Sequence, residues 1–131
     1  MKRLFRILPP WTLTIAVSII ILYLTLVPRP VPADLTEPFP GADKIVHGIM
    51  FASLAAAIVI DKGRSVRTVP SRTIALTAAL ISTISGALIE LLQLWMDMGR
   101  GCEMTDFIAD TIGAFTGGWI GIQICRWLHK P

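Results

Sequence analysis

The sequence predicts an all-α fold, a polytopic membrane bundle of four helices. Three observations predict it. Of the 131 residues, 53% are apolar and only 16% are charged, whereas soluble domains carry about a quarter charged residues. The charges sit between long apolar runs instead of alternating with them. Carboxylates lie inside two of those runs, Glu90 in one and Asp106 and Asp110 at the head of another. An acid in a membrane helix costs at least ~2.5–3.5 kcal/mol on insertion scales and usually faces a partner or a cavity. The length suits a single domain, residues 1–131, with spans expected at about 11–27, 45–60, 73–96 and 107–128.

Lys2, Arg3 and Arg6 precede the first apolar run, Trp11 to Val27, which is roughly long enough to span. Pro9 and Pro10 suit a helix's first turn, where a missing N–H costs little. A cleaved signal peptide is the rival reading, but the run exceeds the usual signal core of roughly 7–15 residues, and Pro28, Pro30 and Pro32 crowd the cleavage site. Residues 28–42 hold five prolines and are expected to form an extended connector, with a lid over the polar cluster as the alternative. The second span, Ile45 to Ile60, gives ~24 Å of helix, short against a core of ~30 Å, and Lys44 is expected to snorkel to the interface. Residues 61–72 read as a basic loop.

The third span carries Ala79, Ser82, Gly86, Glu90, Gln93 and Asp97 at helical three-and-four spacing, a small and polar face. Ile81, Ile84, Leu88, Leu91 and Leu92 fill the other side, and Trp95 fits an interfacial belt. Thr105 or Asp106 is the expected cap of the fourth helix. There Asp106, Asp110, Gly113, Gly117 and Gly121 share a face, with two overlapping small-xxx-small patterns beneath the acids. Helix packing explains the glycines and turns the acids toward the bundle interior. The same Gly113–Gly117–Gly121 face is a candidate contact between copies of the chain.

Basic residues orient the bundle. Nine of the 12 Lys and Arg fall at the amino terminus, the second loop and the tail, and three in the first and third loops. Both termini are therefore expected in the cytoplasm of a multi-pass inner-membrane protein. The net charge of +3 then follows topology, and no interleaving of aromatic and basic residues suggests nucleic-acid binding. Asp43, Lys44, His47, Glu90, Gln93, Arg100, Asp106 and Asp110 all fall in the outer half. Two acids in low dielectric are not both ionised without a cation or basic partner. Cys102 and Cys125 lie on opposite sides of the membrane, which excludes a disulfide between them.

DKIVHGIMF, the Glu90–Gln93 pair, Arg100 and DFIADTIGAFTGG together resemble the VanZ-like membrane family. That family's pattern has an Asp-Lys-x-x-His-x-x-x-Phe box, a Glu-x-x-Gln pair, an Arg and an Asp-x-x-x-Asn-x-x-Gly box. Asp43, Lys44, His47, Phe51, Glu90, Gln93, Arg100, Asp106 and Gly113 occupy those places, over about residues 41–121. Asp110 departs from it, standing where the family usually has Asn. The resemblance implies a small envelope membrane protein, and the family's named member is associated with resistance to the glycopeptide teicoplanin.

Three functions fit these residues. In the first, the outer polar cluster binds a lipid-linked envelope component or a glycopeptide, with Lys44 and Arg100 meeting phosphate or carboxylate. In the second, the protein is an enzyme on a lipid-linked substrate, with His47, Glu90 and Asp110 as catalytic candidates. A divalent metal is then a candidate cofactor, with His47, Glu90, Asp106 and Asp110 as candidate ligands. In the third, the acids merely pair with bases in a structural or ion-conducting bundle.

Overall fold

A computed structural model describes residues 7–27, 39–96 and 103–130. The described residues form four helices and no strand: α1 Thr12–Leu26, α2 Ala42–Val66, α3 Arg72–Trp95 and α4 Met104–His129. No apolar run holds an internal proline; Leu, Ile and Ala favour helix in α1, α2 and α3, whereas α4, with four glycines, is held as a helix by its packing. Each boundary has a local cause. Gly41, at φ 85, turns the chain into α2, and Arg67, at φ 53, ends it. Ser71 caps α3 by accepting from the Ile74 N–H. Two helices, α2 and α3, are long and apolar enough to cross a membrane, and α1 is apolar but shorter.

The order is up-down-up-down. Contacts pair residues 48, 52 and 59 of α2 with 113, 117 and 121 of α4, so these two helices run parallel. Their seam is the most extensive in the bundle, and it is built from small residues on both sides. A Cβ on Gly113 would overlap the Gly48 carbonyl, and one on Gly117 the Ala52 carbonyl. Gly121 would meet Val59 and the Ala56 carbonyl. Gly48, Ala52 and Ala56 recur every four residues and answer the glycines of α4. Gly118, one residue off that stripe, takes the Ala75 carbonyl of α3. The packing expected of the Gly113–Gly117–Gly121 face is thus made within the chain.

Around this seam the core lies in three layers. Ile21, Met50, Phe51, Leu54 and Ile89 fill one end, Ala55, Ala79 and Ala114 the waist, and Val59, Ile60, Ala75, Ala78, Ile122 and Cys125 the other end. Ile81, Ile84, Leu88, Leu91 and Leu92 are exposed, as their spacing predicts, while Ala79, Ser82, Gly86, Glu90 and Gln93 are buried. Trp95 is 83% exposed at the end of α3.

Several boundaries correct the sequence expectation. The basic loop expected at 61–72 shrinks to 67–71, because α2 continues to Val66. At 25 residues, α2 is not short, and Lys44 has other partners than the interface. Pro9 and Pro10 precede α1 instead of opening it. Glu103, not Thr105 or Asp106, holds the N-cap position of α4, without a side-chain cap bond. Asp97, Arg100 and Cys102 lie outside the described residues, as does most of the proline-rich connector; Cys125 is a free, buried thiol.

The extra turns of α2 carry Asp61, which is fully buried. Its Oδ2 accepts from both the Thr14 N–H and the Thr14 hydroxyl, each at 2.9 Å, and its Oδ1 accepts from Arg64 at 2.7 Å. Thr14 is in the first turn of α1, where N–H groups have no intrahelical partner. Trp11, the residue at the N-cap of α1, supplies no side-chain bond. Asp61 therefore caps α1 from a neighbouring helix and places a negative charge at its positive end. Arg64 reaches on to the Leu8 carbonyl at 2.7 Å.

Candidate functional site

His47, Glu90 and Asp110 come from α2, α3 and α4 and meet at one end of the bundle. Local sequence places each one. His47 stands one turn above Phe51 on the buried face of α2, with ring centroids 6.4 Å apart. Glu90 extends the small face of α3 one turn beyond Gly86. Asp110 stands one turn before Gly113, on the stripe that the glycine seam turns inward. The His47 Nδ1 lies 3.2 Å from Asp110 Oδ1 and 3.9 Å from Glu90 Oε1. Donor atoms of all three residues fall within 4.8 Å of one another. Gly86 makes the room: a Cβ there would stand 2.7 Å from Asp110 Oδ2.

Burial is nearly complete, with Asp110 at 0%, Glu90 at 3% and His47 at 5% exposure. Buried polar atoms are normally hydrogen-bonded. Here Glu90 Oε1 and Asp110 Oδ2 have no hydrogen-bond partner among the described residues. One imidazole N–H can serve one acceptor well, not the whole set.

A second, more exposed group lies nearby. Lys44 Nζ is 3.1 Å from Glu103 Oε2, 3.3 Å from Asp106 Oδ1 and 3.4 Å from Asp43 Oδ2. The Lys44 hydrogen bond holds the Glu103 carboxyl below its ordinary value of 4.5. Asp106 and Asp110 are one turn apart yet serve different groups, Asp106 pairing with Lys44 and Asp110 with His47. Among the described residues, the donor cluster contains His47, Glu90 and Asp110 and leaves Asp106 out.

Gln93 belongs to neither group. Its Nε2 donates to the Thr25 carbonyl at 2.8 Å, in the last turn of α1. That carbonyl lacks an intrahelical partner, so α1 is capped by α2 at its start and by α3 at its end. Arg100 lies outside the described residues. Glu103 and Asp61 were missed by sequence reasoning. Glu103 sits three residues before Asp106, and Asp61 three before Arg64, which are the signals that mark them. A groove of about 320 Å³ between α3 and α4, with Arg72, Trp119 and Arg126 on its walls, contains none of the cluster residues.

These features define a small all-helical bundle with two helices of membrane-crossing length and a buried histidine–carboxylate cluster at one end. The chain belongs to the VanZ/LLP1 family, whose model matches residues 12–127. No curated protein and no solved structure matches it.

Proposed function

We propose that the chain is an integral protein of the cytoplasmic membrane that crosses the bilayer four times, with both termini inside. Its polar end then lies in the outer half of the bilayer and binds the anionic part of a lipid-linked envelope component or glycopeptide-type ligand. Such binding contributes to teicoplanin resistance. One observation carries this reading: a graded polar column enters the bundle at that end. It starts at Glu103 and Lys44, 58% and 34% exposed in their side chains, passes the 12% exposed Asp106, and ends at the buried His47, Glu90 and Asp110. Lipid-facing helices do not bury such groups without use, because each costs desolvation. The excess of Lys and Arg at the opposite end supports the orientation. Lys44 is the described cation nearest the mouth, and an anionic ligand group reaches it by exchanging with the carboxylates of Asp43, Glu103 and Asp106 that it now pairs.

The test is native mass spectrometry of the full chain extracted with its lipids, together with teicoplanin susceptibility of cells expressing it. A bound envelope lipid or added teicoplanin, lost in Lys44→Gln and Glu90→Gln, is the expected result. Loss of neither ligand nor resistance in both variants overturns the reading.

A further inference from the structure

We propose that His47, Glu90 and Asp110 hold one divalent transition-metal ion, with zinc as the reference ion. This rests on the reading of the cluster as the functional site and adds what occupies it. The argument starts from the donor set. One imidazole nitrogen and two carboxylate oxygens suit zinc or manganese better than calcium or magnesium, which take oxygen alone. Three protein ligands with a fourth position open is the arrangement of zinc sites that act on a bound molecule.

The geometry agrees. Ligands about 2.0–2.2 Å from a tetrahedral ion lie roughly 3.4 Å from one another. The His47 Nδ1 is 3.2 Å from Asp110 Oδ1 and 3.9 Å from Glu90 Oε1, and the whole set lies within 4.8 Å. The two separations from Nδ1 bracket that ligand spacing.

Satisfaction of the buried atoms is the second argument. A proton on Nδ1 bridges His47 to Asp110 and leaves Glu90 Oε1 without a partner. Lys44 does not supply the missing charge, because its ion pairs go to Asp43, Glu103 and Asp106. Among the described residues, the ion pairs of Glu90 and Asp110 run to His47. A dication between two carboxylates and a neutral imidazole leaves no net charge in the interior. Phe51, fully buried below His47, closes the floor of the site. Asp106, a sequence candidate for the same role, stands outside the donor set of His47, Glu90 and Asp110, with its Oδ1 3.3 Å from Lys44 Nζ.

The experiment uses the full chain, purified in detergent without a histidine tag, stripped with chelator and reloaded with zinc alone. Elemental analysis after desalting is expected to give one zinc per chain. Glu90→Gln, which keeps shape and removes charge, is expected to weaken binding by more than ~100-fold, beyond what outer-shell changes cost. Asp106→Asn is expected to keep full loading. Cobalt substituted for zinc in the wild-type chain supplies a readout that needs no variant. Its visible bands should exceed those of the hydrated ion and vanish with one equivalent of zinc. No stoichiometric zinc, equal loading in Glu90→Gln, or a cobalt spectrum identical to the hydrated ion each overturns the proposal. A chain that retains an envelope ligand but takes up no zinc would sink this inference alone, and zinc loading without any such ligand would sink the proposed function instead.

Discussion

Gly86→Ala isolates the site from the bundle that carries it. The added Cβ would stand 2.7 Å from Asp110 Oδ2 and 3.3 Å from Asp110 Cβ and Cγ. Ordinary contact begins near 3.4 Å, so the Asp110 oxygen must retreat by about 0.7 Å, the difference of those two distances. The Asp110 backbone cannot follow easily, since Gly113, one turn on, is seated against the Gly48 backbone. The carboxylate therefore rotates and the 3.2 Å approach to His47 changes. Overpacking costs roughly 1–3 kcal/mol, while Ala in a helix regains up to ~1 kcal/mol over Gly. The net destabilisation is then between ~0 and 2 kcal/mol, a modest loss for the bundle. Zinc affinity and ligand retention should fall far more than stability does. Gly48→Ala is the control, because its Cβ would meet only the Ala109 carbonyl, at 3.4 Å. Thermal unfolding in detergent, read beside zinc titration, measures both quantities. Unchanged zinc affinity in a folded Gly86→Ala chain would refute the packing argument for the site.

Three further outcomes test the frame around it. Gly117→Ala drives a methyl into the Ala52 carbonyl, which no rotamer change relieves; it should cost about 3 kcal/mol or more and lower the thermal midpoint well below that of Gly48→Ala. Asp61→Ala removes the acceptor for Thr14 and Arg64 and should cost roughly 3 kcal/mol, whereas Thr14→Val, which loses only the hydroxyl donor, should cost ~1 kcal/mol in the same assay. Glu103 has a lowered folded value, so its stabilising link to Lys44 is complete above its unfolded value of 4.5 and fades as pH falls through that value and below it. The stability difference between wild type and Glu103→Gln should therefore be present at neutral pH and vanish in acid; a difference that grows on acidification would reverse the assignment.

The helices were legible because apolar run length and three-and-four spacing are properties of the chain itself. The buried face of α3 could be read residue by residue, from Ala79 to Gln93. So could the inward stripe of α4, because each turn repeats a small or acidic residue. The meeting of His47, Glu90 and Asp110 at one end also followed from depth along antiparallel helices. Partner choice did not follow from spacing. Asp106 and Asp110 share a face, and only the seating of α2 sends one to Lys44 and the other to His47. Gln93 has the depth of a site residue, but α1 offers it an unpaired carbonyl. Asp61 was hidden by the four basic residues that follow it. A helix continues past its apolar run when its next charges are satisfied, as Asp61 is by Arg64 and Thr14.

The claim that side chains from three helices act as one site has a direct measurement. Ligand retention in native mass spectrometry, at matched membrane expression, is compared for His47→Ala, Glu90→Gln and the double variant, with the exposed Leu91→Ala as reference. Residues of one network are non-additive. Each single change should remove most of the bound ligand, the double should lose little more, and Leu91→Ala should retain it. Small effects that add in the double variant, no larger than that of Leu91→Ala, would contradict the account.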